Sequence, residues 1–210
     1  MWISPSYQDS DFPMPHSIDT KITLFEERAL GWKLDIADQI INGKKQTDGS
    51  EERPPIQHSG YAVLDIVFSY FEMIAKYEDG FTKPRDSERY FKLGVYSVFP
   101  ELNNIPMPVT PLSSVGNVVS LVDHVLDLMY DGIRCGLYHS GITNGKIMLT
   151  GEIQTPMAFD LQYQVLIVNP HLLVPKLKTN LKNYVSQLRD VNNTDLRTKF
   201  EARYDFDTRA

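Results

Sequence analysis

The sequence predicts a mainly α protein, a bundle of four to five helices with a small β-hairpin inserted before the last core helix. Three stretches carry that expectation. Val115, Val118, Val119, Val122, Val125, Leu126, Met129, Ile133 and Leu137 recur at steps of three and four, the spacing of one buried helix face. Between residues 60 and 77 apolar side chains leave only a narrow polar stripe, as in a helix at the centre of a bundle. Residues 146–150 and 161–168 are instead short and rich in branched and aromatic residues, which is strand composition.

In chain order, residues 1–18 hold Pro5, Pro13 and Pro15 without periodicity and read as an extended arm. Asp19 or Thr20 caps a first helix whose stripe is Ile22, Phe25, Ala29, Trp32, Ile36 and Ile40, closed by Asn42-Gly43. Residues 44–59 mix charge with Gly49 and Pro54-Pro55 and make a surface loop. In the helix over 60–77, the polar stripe is Asp65, Ser69, Glu72 and Lys76, which faces either water or an internal site. A shorter aromatic helix over 87–99 is stopped by Pro100. Pro106, Pro108 and Pro111 hold an irregular connection to Ser113 and Ser114, which cap the longest helix, running to about His139, where Ser140-Gly141 stops it. The two strand-like stretches pair as a hairpin, or Asn144-Gly145 makes a tight turn of its own after a very short strand at Ile142-Thr143. Asn169-Pro170 starts a helix with Leu173, Leu177, Leu181, Tyr184, Val185 and Leu188 on one face, Pro175 marking either a kink or the true start. Asn193 or Thr194 caps a final short helix through Arg203, in a C-terminal extension over 189–210.

At 210 residues, 42% of them hydrophobic, the chain has material for one domain with a proper core. No secretory pattern opens it, and no stretch approaches the ~18 apolar residues of a membrane span. With one cysteine, Cys135, it has no internal disulfide, so a cytoplasmic protein with no membrane association is expected. A net charge of −6 argues against a broad footprint on duplex nucleic acid, but not against a small cleft for one phosphate. Only residues 175–210 are net basic, with eight basic against five acidic residues, the composition of a solvated helix face.

Chemistry concentrates at the end of the longest helix, in Arg134-Cys135-Gly136-Leu137-Tyr138-His139. Arginine presents a permanently charged fork suited to a phosphate, and a histidine in the last helical turn is placed to donate a proton. On an ideal helix the two are roughly 140° apart, so they converge only if the helix end unwinds or across a dimer. The structural alternative is that both residues merely cap and solvate a helix end. Cys135 and His139, four apart, share a face and permit a thiol nucleophile with its base. His16, His58, His124, His139 and His171 show no metal-ligand spacing, and no Gly-rich phosphate loop is present, so no cofactor is expected.

The Arg134 to His139 segment resembles the Arg-x4-6-His motif of the HEPN superfamily, helical proteins that include many ribonucleases of toxin and defence systems. The context is similar too: a very apolar helix over 60–77, an aromatic helix ending in Phe99-Pro100, the motif helix and a last helix after a hairpin, together covering about 60–188. The resemblance implies a metal-independent endoribonuclease acting on single-stranded RNA. A homodimer would place Arg134 and His139 in a shared cleft, with an antitoxin or other protein partner. It also implies that His139 is general acid or base and that Arg134 binds the phosphate. In many active members an asparagine or aspartate follows the arginine; here Cys135 stands there, and Cys135 and Glu72 are the supporting candidates. The alternative is a HEPN-like module that binds RNA, nucleotide or a partner protein without cleaving.

Overall fold

The computed structural model describes residues 2–12, 14–46, 48–83, 85–104 and 121–208. Ser17 opens the first long helix, its hydroxyl accepting the Thr20 amide at 3.1 Å, so the cap precedes the expected Asp19 or Thr20. Helix α1 (Ile18–Ala29) passes through a π-helical turn (Leu30–Leu34) into α2 (Asp35–Asn42). That turn inserts one residue into the repeat and moves the buried stripe by one position. Ile22, Phe25 and Ala29 are inside as expected, but Trp32 and Ile36 are 47% and 41% exposed, and Leu34, Ala37 and Ile41 are buried instead.

Residues 2–12 fold back rather than extend. Trp2 bridges Gln8, Tyr7 meets Phe12 edge-on at 4.9 Å, and Arg28 donates to the Ile3 carbonyl at 2.6 Å. The surface loop after α2 contains a short ribbon, β1 (Lys44–Lys45) antiparallel to β2 (Glu51–Arg53).

Helix α3 (Gly60–Asp79) is the central element, with Val63, Leu64, Val67, Phe68, Phe71 and Ile74 buried. Helix α4 (Ser87–Val98) lies directly on it, and a Cβ on Gly94 would sit 1.7 Å from the Phe71 carbonyl oxygen. Only glycine allows the two backbones that close. A 3-10 turn (Pro100–Asn104) follows, since Pro100 has no N–H to continue α4.

The proline-rich connection, the capping Ser113 and Ser114 and the first part of the motif helix fall in 105–120, outside the described residues. The remainder is α5 (Leu121–Asp127), a π-helical stretch (Leu128–Cys135) and α6 (Gly136–Ser140). Gly141 ends it in the left-handed conformation, φ +69°, as Ser140-Gly141 predicts. Leu126, Met129, Ile133 and Leu137 face the core.

The expected hairpin of 146–150 with 161–168 does not form. Strand β3 (Ile147–Leu149) runs parallel to β5 (Val165–Val168), with β4 (Met157–Asp160) antiparallel on the other edge, in the order β3-β5-β4. The hairpin is β4–β5. Asp160 turns the chain by accepting the Gln162 and Tyr163 amides at 2.8 and 3.0 Å, which takes the front of the predicted strand into the turn.

Asn169 caps α7 (Pro170–Arg189) through the His171 amide at 3.0 Å and holds the Ile153 carbonyl at 2.8 Å with its Nδ2. The helix starts at Pro170, and Pro175 lies inside it. Helix α8 (Thr194–Thr208) runs past the expected end at Arg203 and brings Phe200 against Phe25 and Tyr77, so the core reaches both ends of the chain. Among the described residues no helix is long and apolar enough to cross a membrane.

Candidate functional site

The polar stripe of α3 divides. Asp65 is exposed, while Ser69, Glu72 and Lys76 lie under neighbouring elements. Glu72, 15% exposed in its side chain, accepts through Oε1 from Lys76 one turn on and from the Ser87 hydroxyl at 2.8 Å at the start of α4. Its other oxygen, Oε2, faces Arg134 Nη2 at 3.9 Å, an ion pair without a hydrogen bond. Burial alone would raise the Glu72 carboxyl. The hydrogen bonds from Lys76 and Ser87, with the charges of Lys76 and Arg134, outweigh it and hold the group below the usual carboxylate range.

Lys33 reaches the same stripe from the first helix. It lies in the π-turn after α1 and donates to Ser69 Oγ at 3.2 Å. Burial, and then the Arg134 charge, push its ammonium below the ordinary lysine range, with Glu72 restoring part of the loss. Two π-helical stretches therefore flank α3, one carrying Lys33 and the other Arg134.

The Arg134 stretch is shaped by glycines. A Cβ on Gly132 would come within 2.7 Å of the Asn144 side chain, and one on Gly136 within 2.7 Å of the Ile142 carbonyl oxygen, so the loop after α6 rests on bare helix backbone. Asn144 donates its amide to the Gly132 carbonyl at 3.3 Å. On the next turn the Arg134 guanidinium lies over the Tyr138 ring, 5.1 Å from its centroid. Tyr138 in turn meets the His139 ring nearly at a right angle, centroids 5.0 Å apart. Among the described residues the buried Arg134 Nε has no hydrogen-bond partner.

The motif helix does not unwind between Arg134 and His139, contrary to one of the two routes by which they were expected to converge. Tyr138 links them instead, touching both side chains. Glu72 does approach Arg134. Cys135 turns elsewhere: it sits beside the Tyr130 hydroxyl, five residues back, as the wider π repeat permits. Burial, then this thiol and more distantly Glu72, raise the Tyr130 hydroxyl above the ordinary tyrosine range. A Cys135–His139 nucleophile pair is thus not assembled. Of the other histidines, His171 Nδ1 binds Asn42 Oδ1 at 2.8 Å, and His16 and His124 each bury an unpartnered Nε2. Among the described residues no three His, Cys, Asp or Glu side chains are grouped to hold a metal ion.

Sequence reasoning missed Lys33, Ser87 and Tyr138. Lys33 was hidden by the π-turn, because an ideal repeat puts Trp32 inside and Lys33 at the rim. Tyr138 carried a readable signal, since it stands four residues after Arg134 and therefore beneath it on the helix.

No protein-family profile, characterised protein or solved structure matches this chain.

Proposed function

We propose that the chain is a metal-independent endoribonuclease of the HEPN type that cleaves single-stranded RNA as a homodimer. The observation that carries this reading is the Arg134–Tyr138–His139 arrangement, in which one aromatic ring contacts both the cation and the imidazole. Tyr138 is 69% exposed, so an unstacked RNA base has a ring to rest on while its phosphate meets Arg134. The 2′-oxygen attacks the adjacent phosphorus and the bond to the 5′-oxygen breaks, leaving a 2′,3′-cyclic phosphate and a 5′-hydroxyl. One imidazole takes the 2′-hydroxyl proton, another protonates the departing oxygen, and Arg134 stabilises the charge that builds on the phosphate. A lone Arg134–His139 pair supplies too few groups for both transfers, and a two-fold interface presents each group twice. An antitoxin or other protein partner would accompany this activity.

The test is cleavage of single-stranded RNA by the purified protein in chelator, with DNA of the same sequence as the control. RNA is expected to be cut to cyclic-phosphate ends and DNA to survive. His139→Ala is expected to lower the rate by about 10²- to 10⁴-fold, and Arg134→Ala by a similar factor. Light scattering at micromolar concentration should give a dimer. Full activity in His139→Ala, or activity only on added magnesium, overturns the mechanism.

Cys135 beside Tyr130 favours a second reading, a module that binds RNA, nucleotide or a partner protein without cleaving, because the position after the arginine offers no polar group to the site. Binding of intact RNA without cleavage selects it.

A further inference from the structure

Among the described residues Lys33 makes no ion pair, Glu72 acting on it only at longer range. Its hydrogen-bond acceptor is Ser69 Oγ, which passes its own proton to the Ile66 carbonyl at 3.0 Å and so offers Lys33 a dipole and no charge. Ser69 and Glu72 are three residues apart on one face of α3, which hangs Lys33 and Arg134 on adjoining turns. Glu72 is already engaged by Lys76 and Ser87 and stands 3.9 Å from Arg134. Three cations thus surround one carboxylate, leaving an excess of positive charge where the side chains are largely covered. Among the described residues the ion pair of Arg134 is the one with Glu72. Residues 105–120 contain no Asp or Glu that could supply a second. Arg134 Nε adds a buried donor that has no partner among the described residues. Lys33 has a hydrogen bond but no ion pair, and Arg134 has only its 3.9 Å pair with Glu72; covered charge compensated so incompletely is costly, and an anion placed between the two cations would answer both deficits.

We infer that Lys33 and Arg134 form a two-armed site for a phosphate group, Lys33 being the arm contributed by the π-turn of the first helix. The inference deepens the ribonuclease reading by naming a second phosphate contact for the same site, and it rests on that reading only for the source of the phosphate. Free phosphate and an RNA phosphodiester share the recognising chemistry.

The experiment uses the full chain and two probes. Inorganic phosphate is titrated while the Arg134 Nε–H resonance and the melting temperature are followed, and binding of an uncleavable 2′-O-methyl oligonucleotide is followed by anisotropy. Phosphate should move the Arg134 signal and raise the melting temperature. Lys33→Met should weaken both ligands roughly 10- to 100-fold, the loss of one charge-assisted contact. Without ligand it should melt no lower than wild type, since it removes a repelling charge, and Lys33→Arg should restore binding. Phosphate that leaves the Arg134 signal unmoved, or a Lys33→Met protein that binds both ligands as wild type does, overturns the site. Lys33-dependent binding of phosphate but not of oligonucleotide keeps the site and assigns it to free phosphate. Lys33-dependent binding of both with RNA left intact sinks the ribonuclease alone, whereas cleavage with an unchanged KM in Lys33→Met sinks this inference alone.

Discussion

The two sides of α3 are built on opposite terms. Toward α4 the helix presents Phe68 and Phe71, whose rings meet Phe91 at 6.0 and 5.4 Å, and the backbones touch at Gly94. Toward the two π-helical stretches it presents Ser69 and Glu72, reached by Lys33 at 3.2 Å and Arg134 at 3.9 Å, with Lys76 paired to Glu72 one turn on. One side is close-packed and apolar, with no room for a methyl group. The other gathers three cations about one carboxylate and holds a buried donor unpartnered among the described residues. On the proposed reading, the difference separates what stabilises the fold from what the fold is used for. Close packing on the α4 side provides the free energy that lets the other side keep an arrangement costly in the absence of a ligand.

Breaking the packed side should have the largest effect. Phe71 is fully buried among Phe68, Tyr70, Phe91 and Phe99, and Phe71→Ala should destabilise the protein by about 3–5 kcal/mol in chemical denaturation. Gly94→Ala tests the same contact from the other helix. Its methyl group would meet a backbone oxygen that cannot swing aside, so a loss of about 1–3 kcal/mol or more is expected. A Gly94→Ala protein melting with wild type would mean that the helices do not lie that close.

On the charged side, Glu72→Gln should cost about 1–3 kcal/mol, because Lys76 and Arg134 then share no negative charge while remaining largely covered. The pH dependence has a defined sign. Because the folded protein holds the Glu72 carboxyl below its unfolded range, its contribution is complete above the unfolded carboxylate pKa. It is lost as the pH falls through the lower, folded value. The gap between wild type and Glu72→Gln should therefore narrow in acid and stay constant at neutral pH. A gap that widens in acid would show that Glu72 is not held as a carboxylate.

The same contrast explains what was legible in the sequence. Apolar spacing located α3, α4, α7 and the described part of the motif helix, since a buried face leaves a periodic record. Glu72 and Arg134 were also visible, one as part of a polar stripe on an apolar helix and the other as part of a motif. Lys33 was not, because the record assumes an ideal repeat and the π-turn between Ala29 and Leu34 displaces it by a residue. The sheet was misread for a different reason. Parallel pairing of β3 with β5 is a long-range choice, and adjacent strand-like stretches default to a hairpin when only local sequence is weighed.

The smallest expected change in stability is at Tyr138, and it sharpens the comparison most. The ring is mostly exposed and its contact with Arg134 is a cation–π interaction of the surface kind, so Tyr138→Ala should cost no more than about 0.5–1 kcal/mol. If the motif helix is built for chemistry, that small loss should go with a large fall in RNA cleavage, because the ring holds Arg134 and His139 in their mutual placement and a misplaced group can cost about 10²-fold. Tyr138→Phe keeps the ring and removes only the hydroxyl. It should retain most of the cleavage rate if the ring positions the two groups, and lose it if the hydroxyl itself takes part in proton transfer. Denaturation and single-turnover cleavage measured on both variants separate these outcomes. Equal, modest losses of stability and rate in Tyr138→Ala would reduce the contact to a helix-end decoration and leave the α4 side as the region of this molecule most tightly specified by its sequence.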